Sequence, residues 1–203
     1  MKAVYLHVPF CDSICAYCDF CRIITNEDTK SKWMAQIIEE IKQKNIHEVD
    51  TLYFGGGTPS SLTCEQFKKI ASLFNVSKEF TVECNPESLD LEKIQLYKKL
   101  GVNRISLGVQ TFNDHLLEVI NRKHRKEDIF QVIQLLKENG IDNISIDLMY
   151  ALPEQSLEDI KKDLEIFLDL DIKHLSIYSL QIEENSVFGR QNLKPVDEDI
   201  EAD

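Results

Sequence analysis

The chain has 203 residues, 43% apolar and 29% charged, and a net charge of −12 from 23 basic and 35 acidic side chains. That is enough for one domain with a full apolar core, and it excludes wholesale disorder. The acidic balance argues against a nucleic-acid binder, whose footprint is a basic face, and no apolar run is long enough to suggest a membrane span.

In chain order, Val4–Val8 predicts a first strand. The opening Met1–Phe10 lacks the basic start and small-residue cleavage site of a secretory leader, so a cytoplasmic location is expected. The six cysteines would then stay reduced, and their clustering points to metal or reactivity. From Met34, the positions Met34, Ile37, Ile38 and Ile41 have helical spacing. Thr51–Phe54 predicts a short strand running into Gly55-Gly56-Gly57. Thr63 and Gln66 form a capping box for a helix carrying Phe67, Ile70 and Phe74. Phe80–Glu83 predicts the next strand, and a helix with Leu91, Ile94 and Tyr97 stops near Gly101. Strands are expected at Arg104–Gly108, Ile144–Leu148 and His174–Gln181, separated by helices ending at Gly140 and opening at Ser156 and Asp159.

Gly101-Val-Asn-Arg-Ile-Ser-Leu-Gly108 resembles Gly140-Ile-Asp-Asn-Ile-Ser-Ile-Asp147, and Leu175-Ser-Ile echoes both. Repeated helix-then-strand units imply parallel strands, because each crossover is long. Six strands fall short of the eight of a closed barrel, so the fold class is α/β, an open partial (β/α)6 barrel. Residues 1–188 form this core, and 189–203 are expected to be an acidic linker or tail toward a further domain.

Cys11, Cys15 and Cys18 follow the first strand as C-x3-C-x2-C. Three thiolates on a cubane of four irons leave one iron without a protein ligand, open to the amine and carboxylate of an amino acid. Cys21 extends the run to four cysteines, which also admits structural zinc.

The cysteine loop resembles that of the radical SAM superfamily. Tyr5-Leu-His-Val-Pro-Phe-Cys11 and Cys15-Ala-Tyr-Cys18-Asp-Phe20 resemble the oxygen-independent coproporphyrinogen III oxidase group more narrowly. So do Gly55-Gly-Gly-Thr-Pro-Ser60, Thr81-Val-Glu-Cys-Asn-Pro-Glu87, Ser106-Leu-Gly-Val-Gln-Thr-Phe112, Asn121-Arg-Lys-His124 and Ile146-Asp-Leu-Met-Tyr-Ala-Leu-Pro153, in order over residues 3 to 188. The oxidase branch has a long arm before the cluster and a fourth cysteine two residues after the third. Here the cysteines start at residue 11 and position 20 is Phe, so the chain is more similar to the branch of heme chaperones.

The resemblance implies a [4Fe–4S] cluster on Cys11, Cys15 and Cys18 with S-adenosylmethionine (SAM) on the open iron. It implies that Gly56, Gly57 and Thr58 approach the methionine end, Glu83 the ribose hydroxyls, Gln110 and Asp147 the nucleoside, and Arg122 the SAM carboxylate. It places the Tyr17 ring by the adenine and the Tyr5 hydroxyl near the ligand or a cluster cysteine. Cys21, Cys64, Cys84, His7 and His124 are not assigned as ligands. Implied partners are heme or porphyrin, a heme-accepting protein and an electron donor, with peripheral membrane contact through an acceptor. The alternative activity is the oxidative decarboxylation of coproporphyrinogen III.

Overall fold

The computed structural model describes residues 2–196. The strands are β1 (Ala3–Val8), β2 (Phe10–Cys11), β3 (Ile23–Ile24), β4 (Glu48–Gly56), β5 (Asn75–Cys84), β6 (Arg104–Gln110), β7 (Ile144–Tyr150) and β8 (His174–Ser179). The helices are α1 (Glu27–Lys44), α2 (Cys64–Ala71), α3 (Leu91–Lys99), α4 (Asp114–Val119), α5 (Lys126–Glu138), α6 (Leu157–Asp169) and α7 (Val187–Arg190). Six strands form one sheet in the order β1-β4-β5-β6-β7-β8, and every pair is parallel. Its edges are β1 and β8, which do not pair with each other, so the sheet is an open partial barrel as the six-strand count predicts.

The helices begin where the polar residues direct. The Thr63 hydroxyl accepts from Gln66 N while the Gln66 side chain returns to Thr63 N, closing the expected box. Ser156 and Asp159 do the same for α6. Gly101 and Gly140 both have positive φ just past their helices, the left-handed turn glycine permits. The helix read from Met34 starts earlier, at Glu27, where the Asn26 side chain accepts from Thr29 N.

The main core lies between sheet and helices. Phe54, Phe67, Phe80 and Tyr97 are all but fully buried, with Phe67 and Tyr97 ring centroids 4.2 Å apart. Each of the three phenylalanines stabilises the fold by ~1.5–3 kcal/mol relative to exposure. A second apolar cluster joins Ala16 of the cysteine loop to Leu116, Leu117 and Ile120 of the α4 region and to Phe188 of α7. The Ala16 amide donates to Ile120 O and the Ala16 carbonyl accepts from Phe188 N, so the loop is stitched on both sides.

Several elements differ from expectation. β4 and β5 begin three and five residues earlier, in the polar stretches Glu48-Val-Asp and Asn75-Val-Ser-Lys-Glu. Backbone pairing, not an apolar pattern, extends them. β7 runs two residues past the expected Leu148, to Tyr150, with Asp147 inside it; alternation turns Asp147 away from the buried Ile146 and Leu148. α4 and the β2–β3 pair are too short for a periodicity to register. α7 crosses the boundary expected at residue 188; of the tail, 197–203 lie outside the described residues. Among the described residues no helix is long and apolar enough to cross a membrane.

Candidate functional site

At the C-terminal ends of the strands lies a cavity of about 880 Å³. Cys11, Cys15 and Cys18 line one wall, with Tyr17 on the same loop. All six cysteines are free thiols. Cys11 is buried at the end of β2, and its Sγ accepts from the Thr58 hydroxyl at 3.4 Å. Burial raises the Cys11 thiol above its ordinary pKa, with the Thr58 bond opposing; burial raises Cys18 as well. A cation or metal is what would hold such sulfurs as thiolates. Burial likewise raises the Tyr17 hydroxyl well above its ordinary value, keeping that ring neutral.

The glycine run after β4 brings main chain against the cysteines. A Cβ on Gly57 would sit 2.8 Å from Phe10 O and 3.0 Å from Cys11 Sγ, so no larger residue fits without displacing them. Gly56 has φ +119°, and a Cβ there would meet the His7 ring at 2.7 Å.

Acceptors converge from the neighbouring strands. Glu83 is half-buried near the end of β5; Oε1 accepts from the Tyr53 hydroxyl at 2.8 Å and Oε2 from Gly56 N at 3.0 Å. Burial raises its carboxyl above the ordinary value, against those two hydrogen bonds. Asp147 is raised by burial in the same way and accepts from Ser106 Oγ at 3.2 Å. Gln110 closes β6 with φ +70°, next to a register shift at Gly108, and its side chain lines the cavity.

Arg122 is buried in the cavity wall. Its Nη1 lies 3.5 Å from Cys15 Sγ, while Nη2 donates to Asn85 Oδ1 at 2.9 Å and to Gly108 O. Among the described residues its Nε has no hydrogen-bond partner. A buried donor left unpaired is costly, so an acceptor bound in the cavity would be favoured there.

Eleven of the twelve residues singled out from the sequence therefore line one cavity; Tyr5 does not. Its ring is mostly exposed on edge strand β1 and stacks on Tyr53, with centroids 5.8 Å apart. Its hydroxyl meets His7 Nδ1 at 3.3 Å, and His7 Nε2 meets Cys21 O at 2.9 Å, so His7 links Tyr5 to the cysteine loop. His124 is buried between Glu87 Oε2 and Val109 O, a packed position away from the cavity lining. Cys84 is buried but lines the cavity beside Glu83. The sequence reading missed Tyr53 and Asn85, whose neighbours Gly55 and Glu83 were the available signal.

The family model for the Radical SAM superfamily matches residues 5–167, from β1 to α6. The heme chaperone HemW of Bacillus subtilis (strain 168) is 40% identical over 218 residues, covering 99% of this chain and 58% of that protein. HemW of Lactococcus lactis subsp. lactis (strain IL1403) is 41% identical over 212 residues, covering 100% and 56%. Among solved structures, coproporphyrinogen III oxidase (HemN) from Escherichia coli, described as a radical SAM enzyme, has a TM-score of 0.87 at 26% identity, covering 99% of this chain and 49% of that one. The chain thus spans little more than half the length of the curated relatives it matches. With the family model covering most of the sheet and the cysteine loop seated at its strand ends, this chain belongs to the radical SAM superfamily.

Proposed function

We propose that the chain is the radical SAM core of a heme chaperone, holding a [4Fe–4S] cluster on Cys11, Cys15 and Cys18 and SAM beside it. The observation that carries this reading is the single cavity shared by three free cysteines, a buried arginine and a half-buried carboxylate. The donor set fits the group: soft sulfur ligands on one loop, glycines that leave room beside Cys11, and an orphaned guanidinium nitrogen. When bound, such a cluster supplies one electron at an iron that no side chain ligates.

The chain's own residues supply the binding. Glu83 accepts from the ribose hydroxyls, since an ionised carboxylate has lone pairs beyond those that Tyr53 and Gly56 use. Gln110 and Asp147 hold the nucleoside, and the Tyr17 ring packs by the adenine. Gly56, Gly57 and Thr58 approach the methionine end, and Arg122 supplies charge to its carboxylate. Tyr5 acts from outside the cavity, through Tyr53 and His7.

On this reading the core runs from β1 through α7, and the relatives' greater length places a further domain beyond it. Heme or porphyrin, a heme-accepting protein and an electron donor complete the cycle, in the cytoplasm or at a membrane-bound acceptor. The 40–41% identity to HemW relatives favours the chaperone reading. The likeness to HemN supports the second reading, coproporphyrinogen III decarboxylation.

Anaerobic reconstitution with iron and sulfide, then EPR of the reduced protein with and without SAM, tests the core. The expected result is a cubane signal that shifts on adding SAM; zinc and no cluster would overturn it. Heme binding by the full-length product under reducing conditions then separates chaperone from oxidase. Its absence, with turnover of the porphyrinogen, would establish the second reading.

A further inference from the structure

We propose that Asn85 is a positioning residue, whose side-chain amide aims hydrogen bonds at the sulfurs of two of the three cysteines. It stands just after β5, where neither chain of contacts is local. Arg122 is 37 positions away and Thr58 is 27. An arginine only donates, so the 2.9 Å contact from Arg122 Nη2 fixes which end of the amide is Oδ1. The Nδ2 end therefore faces Thr58 Oγ1, at 3.4 Å. Thr58 accepts there, which leaves its own proton for Cys11 Sγ at 3.4 Å. On the other side, Asn85 and Gly108 O hold Nη2, which leaves Nη1 turned to Cys15 Sγ at 3.5 Å.

The amide is itself held. Asn85 N donates to Ser60 Oγ at 3.3 Å, and Asn85 O accepts from Ser88 Oγ at 2.8 Å. The absence of a side chain at Gly108 is part of the design. A Cβ there would lie 3.2 Å from Arg122 Nη2 and 3.3 Å from Asn85 Oδ1, crowding both partners. One amide thus sets the direction of two sulfur contacts, one from the loop after β4 and one from the loop after α4.

Donors to cluster sulfurs stabilise the more negative, reduced state and so raise the potential. Rested on the proposed cluster, Asn85 tunes how readily that cluster accepts an electron, without ligating iron. Asn85→Ala removes the aim of both donors. Asn85→Asp keeps an acceptor for Arg122 but is acceptor-only toward Thr58, so the Thr58 proton turns away from Cys11 and negative charge is added.

The test is an EPR-monitored redox titration of the reconstituted 203-residue chain, with iron and sulfide content measured on every sample. Asn85→Ala and Thr58→Val are each expected to shift the reduction equilibrium toward the oxidised state by about three- to tenfold; tenfold is 59 mV for one electron. The double variant is expected to shift by less than the sum, because both act through one hydroxyl. Asn85→Asp, which keeps the Arg122 contact, is expected to lie below the parent. An Asn85→Asp potential equal to or above the parent's overturns the inference. So do an unmoved Asn85→Ala and two shifts that add in full. A parent chain that takes up no cluster overturns the proposed function instead. A loaded parent with unmoved variants overturns the bridge alone.

Discussion

At the scale of single residues, chemistry was legible wherever a residue type is rare or its geometry forced. Three cysteines and a glycine run announce themselves because few substitutes do their work. Asn85 did not, because an amide is common and its meaning lies in partners far along the chain. Tyr5 is expected near the ligand or a cluster cysteine; its ring lies mostly exposed on edge strand β1, and no local pattern marks which face of that strand it takes. Two predictions belong here. Gly57→Ala places a methyl against Phe10 O and Cys11 Sγ, which main-chain bonds hold in place; overpacking of this kind costs ~1–3 kcal/mol. Iron content after reconstitution should fall, and unchanged iron and thermal midpoint would refute the close fit. Glu83→Gln should weaken SAM binding by about tenfold or more, the worth of one bond to a charged acceptor at ~1.5–3 kcal/mol. Calorimetric titration reads this directly. Burial holds the Glu83 carboxyl above its ordinary value, and on the proposed reading the ionised form is the one that accepts from the ribose. Affinity is therefore full above that raised pKa and is lost as pH falls through it, earlier than for an exposed glutamate. For folding the sign is opposite: a raised carboxyl contributes stability below its unfolded pKa, lost as pH rises through the folded one.

At the scale of elements, strands and capped helices were legible because backbone signals and apolar periodicity agree. Thr63, Gln66, Ser156 and Asp159 cap as their spacing predicts. The misses share a cause. The polar starts of β4 and β5 are strand only because a neighbour pairs with them. α4 has six residues, and what makes it a helix is the Asn113 side chain, which accepts from His115 N and Leu116 N, together with the loop it supports. Leu117 of α4 is buried beneath that loop, among Ala16 and Phe188. Leu117→Ala should cost ~2–5 kcal/mol in urea unfolding, as a core truncation does. It should also speed loss of iron to a chelator. Faster loss without destabilisation would place α4's role in the loop rather than in packing.

At the scale of the whole molecule, the parallel sheet ends, among the described residues, at two unpaired edges. On β8, Ile177 and Tyr178 are 47% and 56% exposed, and Ile177 also lines the cavity mouth. Exposed apolar strand edges invite pairing between chains, while a net charge of −12 opposes it. The 203-residue chain should therefore self-associate, more at high salt, where repulsion is screened. Sedimentation at two ionic strengths checks this. A monodisperse monomer in both would count against it. Open-barrel architecture followed from counting repeats; where the chain is left uncovered did not, because that depends on which strands find neighbours.

The stitching of Ala16 to Ile120 on one side and Phe188 on the other bears on how the metal comes and goes. A binding loop fastened by its own main chain does not wait for its cargo to take shape. Assembly then resembles filling a mould rather than casting one, and far-UV circular dichroism should superimpose before and after loading. Insertion should follow a single kinetic phase.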